Sequence, residues 1–204
     1  MITLYDYELS GSCYKVRLFL HILGVEYRTQ PIDYVAREHK GDAFLAINPL
    51  GELPVLEDQG LRLRDAQAML IYLARRYDST GQWYPDDPAS MGLIAQWLAT
   101  AGGELMSIAA ARLVKGLNYP GDLDRLHASA HRALKLLDAQ LTFRSFLELE
   151  RATIADIACF PYAALAHEAG LDLAPYPHLI DWITRIRSIE RFTPMPGIWP
   201  LKRS

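Results

Sequence analysis

Ser10, Ser12 and Cys13 lie within four positions of one another, between a short apolar segment and a run with helical spacing. A serine after a strand and before a helix commonly serves as a cap or turn residue, its oxygen accepting a free amide of the first turn. Its hydroxyl also has a proton to donate, and a bound sulfur anion is an acceptor it can stabilise. An alcohol is too weakly acidic to act as a base. Cys13 competes for the reactive role, because a helix N-terminus lowers a thiol pKa and the thiolate is the nucleophile. Dithiol exchange is not available, since Ser10 occupies the first, exposed position of such a pair and Cys13 the second, less accessible one three positions on. Cys159, among alanines and beside Phe160, reads as packing.

Other chemistries find no support in the residues. The six histidines are scattered, with no close Cys/His spacing for a metal. There is no Gly-rich phosphate loop and no G-x-S-x-G elbow. A net charge of −3 over 204 residues gives no general attraction for phosphate backbones or anionic lipid, so nucleic acid is not expected as a partner. Charges interrupt every apolar run, which argues against a membrane span. Met1 leads into apolar sequence without a basic segment and cleavable core, so no signal peptide is expected. With two distant cysteines, a structural disulfide is not expected and a reducing, cytoplasmic setting fits.

The elements that must position the serine cluster follow from periodicity. Met1 to Tyr5 suits a buried strand. From Cys13, Val16, Leu20 and Leu23 keep helical spacing until Gly24 closes the helix. Val25 to Pro31 reads as a second strand. Glu38 to Ile47 reads as a short helix ended by Asn48-Pro49, because a residue before proline is pushed out of the α region. Leu53 to Leu56 and Leu61 to Leu63 read as strands joined through Asp58-Gln59-Gly60, a hairpin signal. Met69, Leu70, Leu73, Ala74 and Tyr77 form one helical face. The expected order is β-α-β-α-β-β-α over residues 1–78.

Residues 79–88, rich in Gly, Pro and Asp, read as a linker to an all-helical region spanning 89–204. There Leu126, Ala130, Leu134, Leu137 and Leu141 repeat at helical spacing, as do Leu179, Trp182, Ile186 and Ile189. Thr153-Ile154-Ala155-Asp156 has the form of a capping box at the start of a core helix, worth about 0.5–2 kcal/mol. Pro161, deeper in the same helix, predicts a kink or a lost hydrogen bond.

Four segments in this order resemble those of cytosolic glutathione transferases of the bacterial, serine-type, theta-, delta- and zeta-like kind. They are Ser10 to Arg17, Phe44 to Leu56, Ala66 to Leu73 and Thr153 to Ile157. The resemblance covers nearly the whole chain. It implies a thioredoxin-like N-terminal domain that binds glutathione as co-substrate without a metal, an all-helical C-terminal domain and a homodimer. The implied activity is addition of the glutathione thiolate to a small hydrophobic electrophile, as in detoxification. The same resemblance admits a glutathione-dependent cis–trans isomerase, a thiol transferase, or a non-catalytic protein that reuses the fold.

By the same resemblance Ser10 donates to the thiolate, with Ser12 and Cys13 as the next candidates. Pro54 is expected to be cis, turning Leu53 toward the cysteinyl part of glutathione. His39 is expected near the glycyl end, with Lys40 as an alternative source of charge; read by itself, a histidine beside a lysine on a polar helix is solvated surface. Asp65 and Ala66 stand where the family receives the γ-glutamyl group, although Ala66 lacks the usual hydroxyl. Glu52 stands where many members carry Lys, Arg or Gln. The electrophile pocket is expected near Leu9, near Met106 and Ala110 in the middle of the first long helix after the linker, and near the tail from Phe192 through Met195 to Ile198.

Overall fold

The structure, a computed structural model, describes residues 1–199. Strand β1 (Ile2–Asp6) is followed by helix α1 (Gly11–Leu23) and strand β2 (Tyr27–Pro31). A 3-10 turn (Glu38–Lys40) and the single turn α2 (Asp42–Leu45) then lead to β3 (Val55–Asp58), β4 (Leu61–Leu63) and α3 (Ala66–Tyr77). The sheet order is β2-β1-β3-β4; β1 runs parallel to β2 and antiparallel to β3, placing Leu4 between Thr29 and Leu56. Gln59 and Gly60 both take positive φ (49° and 85°), the twist that a tight β3–β4 hairpin requires. Gly24 ends α1 in the left-handed region at φ 67°, its amide bonded back to the last turn.

Helices α4 (Pro88–Gly102), α5 (Met106–Leu117), α6 (Leu123–Leu141), α7 (Ile154–Ala164) and α8 (Pro177–Arg187), with a 3-10 turn (Ala166–Ala169) between the last two, complete the elements of the described chain. None of the described helices is long and apolar enough to cross a membrane. α7 is the central element, touching α1 and α3 on one side and α4, α5 and α8 on the other. Every residue from Ile154 to Ala163 is buried, which explains a helix apolar on all faces. One hydrophobic core therefore runs from Leu4, Val16 and Leu70 through Phe160 to Trp182.

The capping box forms, with Thr153 and Asp156 each satisfying the other's amide. The Asp156 carboxylate reaches further, accepting from Leu147 N–H at 3.0 Å and from Trp182 Nε1 at 2.8 Å. It thus ties α7 to α8 and to the loop before it. Pro161 lies inside α7, where it has no N–H to donate to Ile157 O, and the helix continues past it to Ala164.

Several expected boundaries move. Leu53 and Pro54 lie outside β3, which starts at Val55, and β2 starts at Tyr27. The expected helix from Glu38 to Ile47 is split by Gly41, whose extended backbone (φ −80°, ψ 156°) separates the 3-10 turn from α2. The first long helix after the linker is two helices, broken after Gly102 at Gly103. Met106 therefore begins α5 rather than lying mid-helix.

Candidate active site

A cleft of about 980 Å³ opens between the sheet half and α5. Its floor is formed where α1 and α3 begin, so two sets of free helix amides converge on it. Ser10 caps α1: its backbone is extended and its Oγ accepts from Cys13 N–H at 3.2 Å. Ser10 also lines the cleft, together with Gly11 and Ser12. Because the cap uses the oxygen as an acceptor, the hydroxyl proton remains available to donate. The two readings of Ser10 are compatible.

Cys13 turns the other way. It is 0% exposed and absent from the cleft lining. Burial pushes its thiol up to about 12, with the Asp6 charge adding to the rise, so it is neither reachable nor ionised. As a reactive candidate it is removed by the structure. Cys159 is likewise buried, its sulfur against Trp97 O at 3.5 Å.

His39 and Lys40 line one end of the cleft. His39 is not solvated surface: it is 3% exposed and stacked on Tyr34 with ring centres 4.3 Å apart. Burial, reinforced by the charges of Lys40 and Arg37, lowers its pKa and holds it neutral. Lys40 Nζ donates to Leu50 O at 3.1 Å, which directs that charge onto the loop.

Leu53 and Pro54, joined by a cis peptide bond, form the adjacent wall. The preceding loop is fixed by buried Asn48, which donates to Glu52 O and accepts from Leu50 N–H. Gly51 takes φ +59°, and a Cβ there would come within 2.7 Å of His39 O, so only glycine lets the loop close on the 3-10 turn. Glu52 is exposed at the rim. Asp65 caps α3, its Oδ1 accepting from Ala68 N–H at 2.8 Å, and shares the cleft with Ala66 and Gln67.

On the opposite wall, some of the residues expected around the electrophile line the cleft and others do not. Leu9 (43% exposed) and Met106 (37% exposed) do face the cleft. Ala110 does not; Ala109 takes that place on α5. Phe192 and Met195 are also outside the cleft. The tail folds over α1 and α7 instead: Phe192 packs edge-on against Phe160 at 5.9 Å, and Tyr14 donates to Thr193 O at 2.6 Å. Met195 is buried in the main core and paired with Ile198.

Further features had no signal in local spacing. Tyr7 and Tyr119 flank Tyr34 in a stack, with centroids 5.2 and 6.5 Å from it, spanning both halves of the chain. Burial, and then the neighbouring Tyr119, push the Tyr34 phenol up to about 12, so it is neutral. Arg112 grips Glu168 through two guanidinium nitrogens at 2.8 and 2.6 Å and donates to Leu9 O at 3.3 Å, pinning the loop before Ser10. Tyr162 reaches the cleft from α7. Finally, two buried polar atoms of cleft residues, His39 Nδ1 and Gln67 Oε1, have no hydrogen-bond partner. A peptide-like ligand carrying donors and anionic ends fits such a lining.

Sheet topology, helix termini and cleft together define a protein of the thioredoxin-like class extended by a helical bundle. Residues 4–81 match the family model for the glutathione S-transferase N-terminal domain, and residues 120–185 that for the C-terminal domain. The chain is 31% identical to maleylacetoacetate isomerase of Rhizobium meliloti, covering 93% of this chain and 92% of that one. It is 30% identical to glutathione S-transferase 2 of Anopheles gambiae, covering 92% and 91% respectively. The crystal structure of glutathione S-transferase from Pseudomonas fluorescens superposes with a TM-score of 0.89 at 33% identity, over 95% of this chain and 98% of that one. The chain belongs to the glutathione transferase family.

Proposed function

We propose that the chain binds glutathione in this cleft and adds its thiolate to a small hydrophobic electrophile. The observation that carries the reading is Ser10, a helix cap with a donatable proton at the floor of a cleft that also holds the start of α3. Glutathione supplies the nucleophilic sulfur. Lowering a thiol pKa by about two units takes roughly 2.7 kcal/mol. A hydrogen bond to a charged group contributes about 1.5–3 kcal/mol, and a helix N-terminus about 0.3–1 kcal/mol. Ser10 and the α1 amides suffice without a separate base.

In this reading Leu53 and Pro54 form the wall for the cysteinyl segment, Asp65 and the Ala66 amide receive the γ-glutamyl end, and His39 lies at the glycyl end. Leu9, Met106, Ala109 and the tyrosine stack enclose the electrophile. The buried free thiols Cys13 and Cys159 agree with a reducing, cytoplasmic setting. A homodimer belongs to the same proposal, and light scattering in solution tests it.

Titration calorimetry with glutathione, followed by a conjugation assay with an aromatic halide, tests the function. Micromolar to millimolar binding and saturable conjugation are expected; absence of binding would instead indicate a non-catalytic use of the fold. A second reading, glutathione-dependent cis–trans isomerisation, is favoured by the similarity to a maleylacetoacetate isomerase. It keeps the same thiolate and differs in the acceptor, so turnover of a cis-dienone without net glutathione consumption would select it.

A further inference from the structure

Ser12 and Tyr162 are 150 positions apart in sequence, yet their hydroxyl oxygens lie 2.9 Å apart at the start of α1. Both residues line the cleft. The approach is built from both sides. A Cβ on Gly11 would meet Tyr162 Cε1 at 2.7 Å, so the ring reaches the helix terminus only because residue 11 has no side chain. Lys15 Nζ lies 5.0 Å from the centre of the same ring. This lysine is fully buried and its Nζ has no hydrogen-bond partner, so the ring face joins Asp65 and Cys159 as an electrostatic partner.

Either hydroxyl could donate across this contact; the phenol is the stronger acid, which favours Tyr162 as the donor and the Ser12 oxygen as the acceptor. A cation against the ring strengthens that polarity. The Ser12 oxygen is then occupied as an acceptor, and its own proton is directed to another acceptor. The arrangement parallels Ser10, whose oxygen is occupied by Cys13 N–H.

We infer that Ser12 is a second hydroxyl donor to the nucleophilic sulfur, held in that role by Tyr162 as a positioning residue contributed by the helical half. The inference rests on the cleft being the glutathione site. The thiolate then receives two hydroxyl protons, one set by a cap within α1 and one set by a contact between the halves of the chain. The second depends on how α7 seats against α1, so the sulfur is fully stabilised only when the two halves are docked. Lys15 lies behind the ring and does not itself line the cleft, and burial lowers its pKa to about 8.

Tyr162→Phe removes one oxygen and keeps the ring against Gly11 and Lys15. The readout is the ultraviolet absorbance of the bound glutathione thiolate against pH in the wild type, Tyr162→Phe, Ser12→Ala and the double variant. Ser12→Ala is expected to raise the bound thiol pKa by about one unit or more, the scale of a hydrogen bond to a charged group. Tyr162→Phe should raise it by a smaller amount, and the double variant should match Ser12→Ala, because Tyr162 acts through Ser12. If Ser12→Ala or Tyr162→Phe leaves the titration unmoved, or if their effects add in full, the inference is wrong. Ser12→Ala is a cleft-facing change, so its arm remains decisive should Tyr162→Phe fold poorly. Calorimetry on the wild type separates the two levels: no glutathione binding overturns both the functional reading and the inference, whereas binding with an unmoved titration overturns the inference alone.

Discussion

The imidazole of His39 lies flat against the Tyr34 ring, with centres 4.3 Å apart and planes within 5° of parallel. The pair buries a titratable group at the edge of the cleft, and burial together with Lys40 and Arg37 lowers the histidine pKa. The unfolded chain takes up this proton near pH ~6.5, while the folded imidazole resists it. The unfolded state therefore binds more protons as the pH falls, and stability rises with pH across this window. The contribution is complete above about 6.5 and is lost as the pH drops through the folded value. His39→Phe keeps the stack and removes the titration. Urea denaturation at pH 7.5 and 5 should show that acidification costs the wild type more than His39→Phe; equal losses would mean that His39 protonates freely in the folded state.

Ser10→Ala should raise the pKa of bound glutathione by roughly one to two units and slow conjugation about ten- to a hundredfold. It should also lower stability by about 1 kcal/mol, because the same oxygen caps α1. Cys13→Ala should leave turnover near the wild-type level, since the sulfur is buried away from the cleft. Steady-state kinetics on both variants decide between them. Loss of turnover in Cys13→Ala with Ser10→Ala unaffected would reverse the assignment.

Ala66 begins α3 directly on the cleft, where the helix amides are free. Ala66→Ser adds a hydroxyl donor beside the anion that those amides would hold. Glutathione should bind roughly tenfold more tightly, the equivalent of one added hydrogen bond. Calorimetry at a fixed ionic strength measures it. Weaker binding in the variant would show that the wall excludes the extra atom.

Asp156→Ala should cost more than an ordinary cap. The carboxylate accepts from Thr153 N–H and Oγ1, Leu147 N–H and Trp182 Nε1, all of them buried groups. Stranding buried donors costs about 1–3 kcal/mol each, so a total loss of at least about 3 kcal/mol is expected, above the ~0.5–2 kcal/mol of a cap alone. Equilibrium denaturation gives the value directly. A loss within the cap range would mean that Leu147 and Trp182 find other acceptors.

What the sequence determined by itself is what is decided within a turn of chain. Ser10 and the Thr153–Asp156 box were legible as helix starts because a cap joins atoms a few residues apart, whereas the Asp65 cap came only with the structure. Gly24 and Gln59-Gly60 were legible as a stop and a turn because their backbone angles suit few other residues. The repeats in α6 and α8 revealed their buried faces because helical spacing is fixed. The tertiary structure alone decided which of these elements share a cleft and which side chains face it. Cys13 and Ser12 are neighbours in sequence, but the helical twist sends one into the core and the other to the cleft. His39 is buried with Tyr34 stacked over it, and Phe192 and Met195 lie outside the expected pocket because the tail packs on the apolar faces of α1 and α7. The Ser12–Tyr162 contact joins positions 150 apart, and no periodicity carries information over that distance. Local conformational preference is written into short spans of chain, whereas the pairing of distant surfaces is set by the burial that the whole fold achieves.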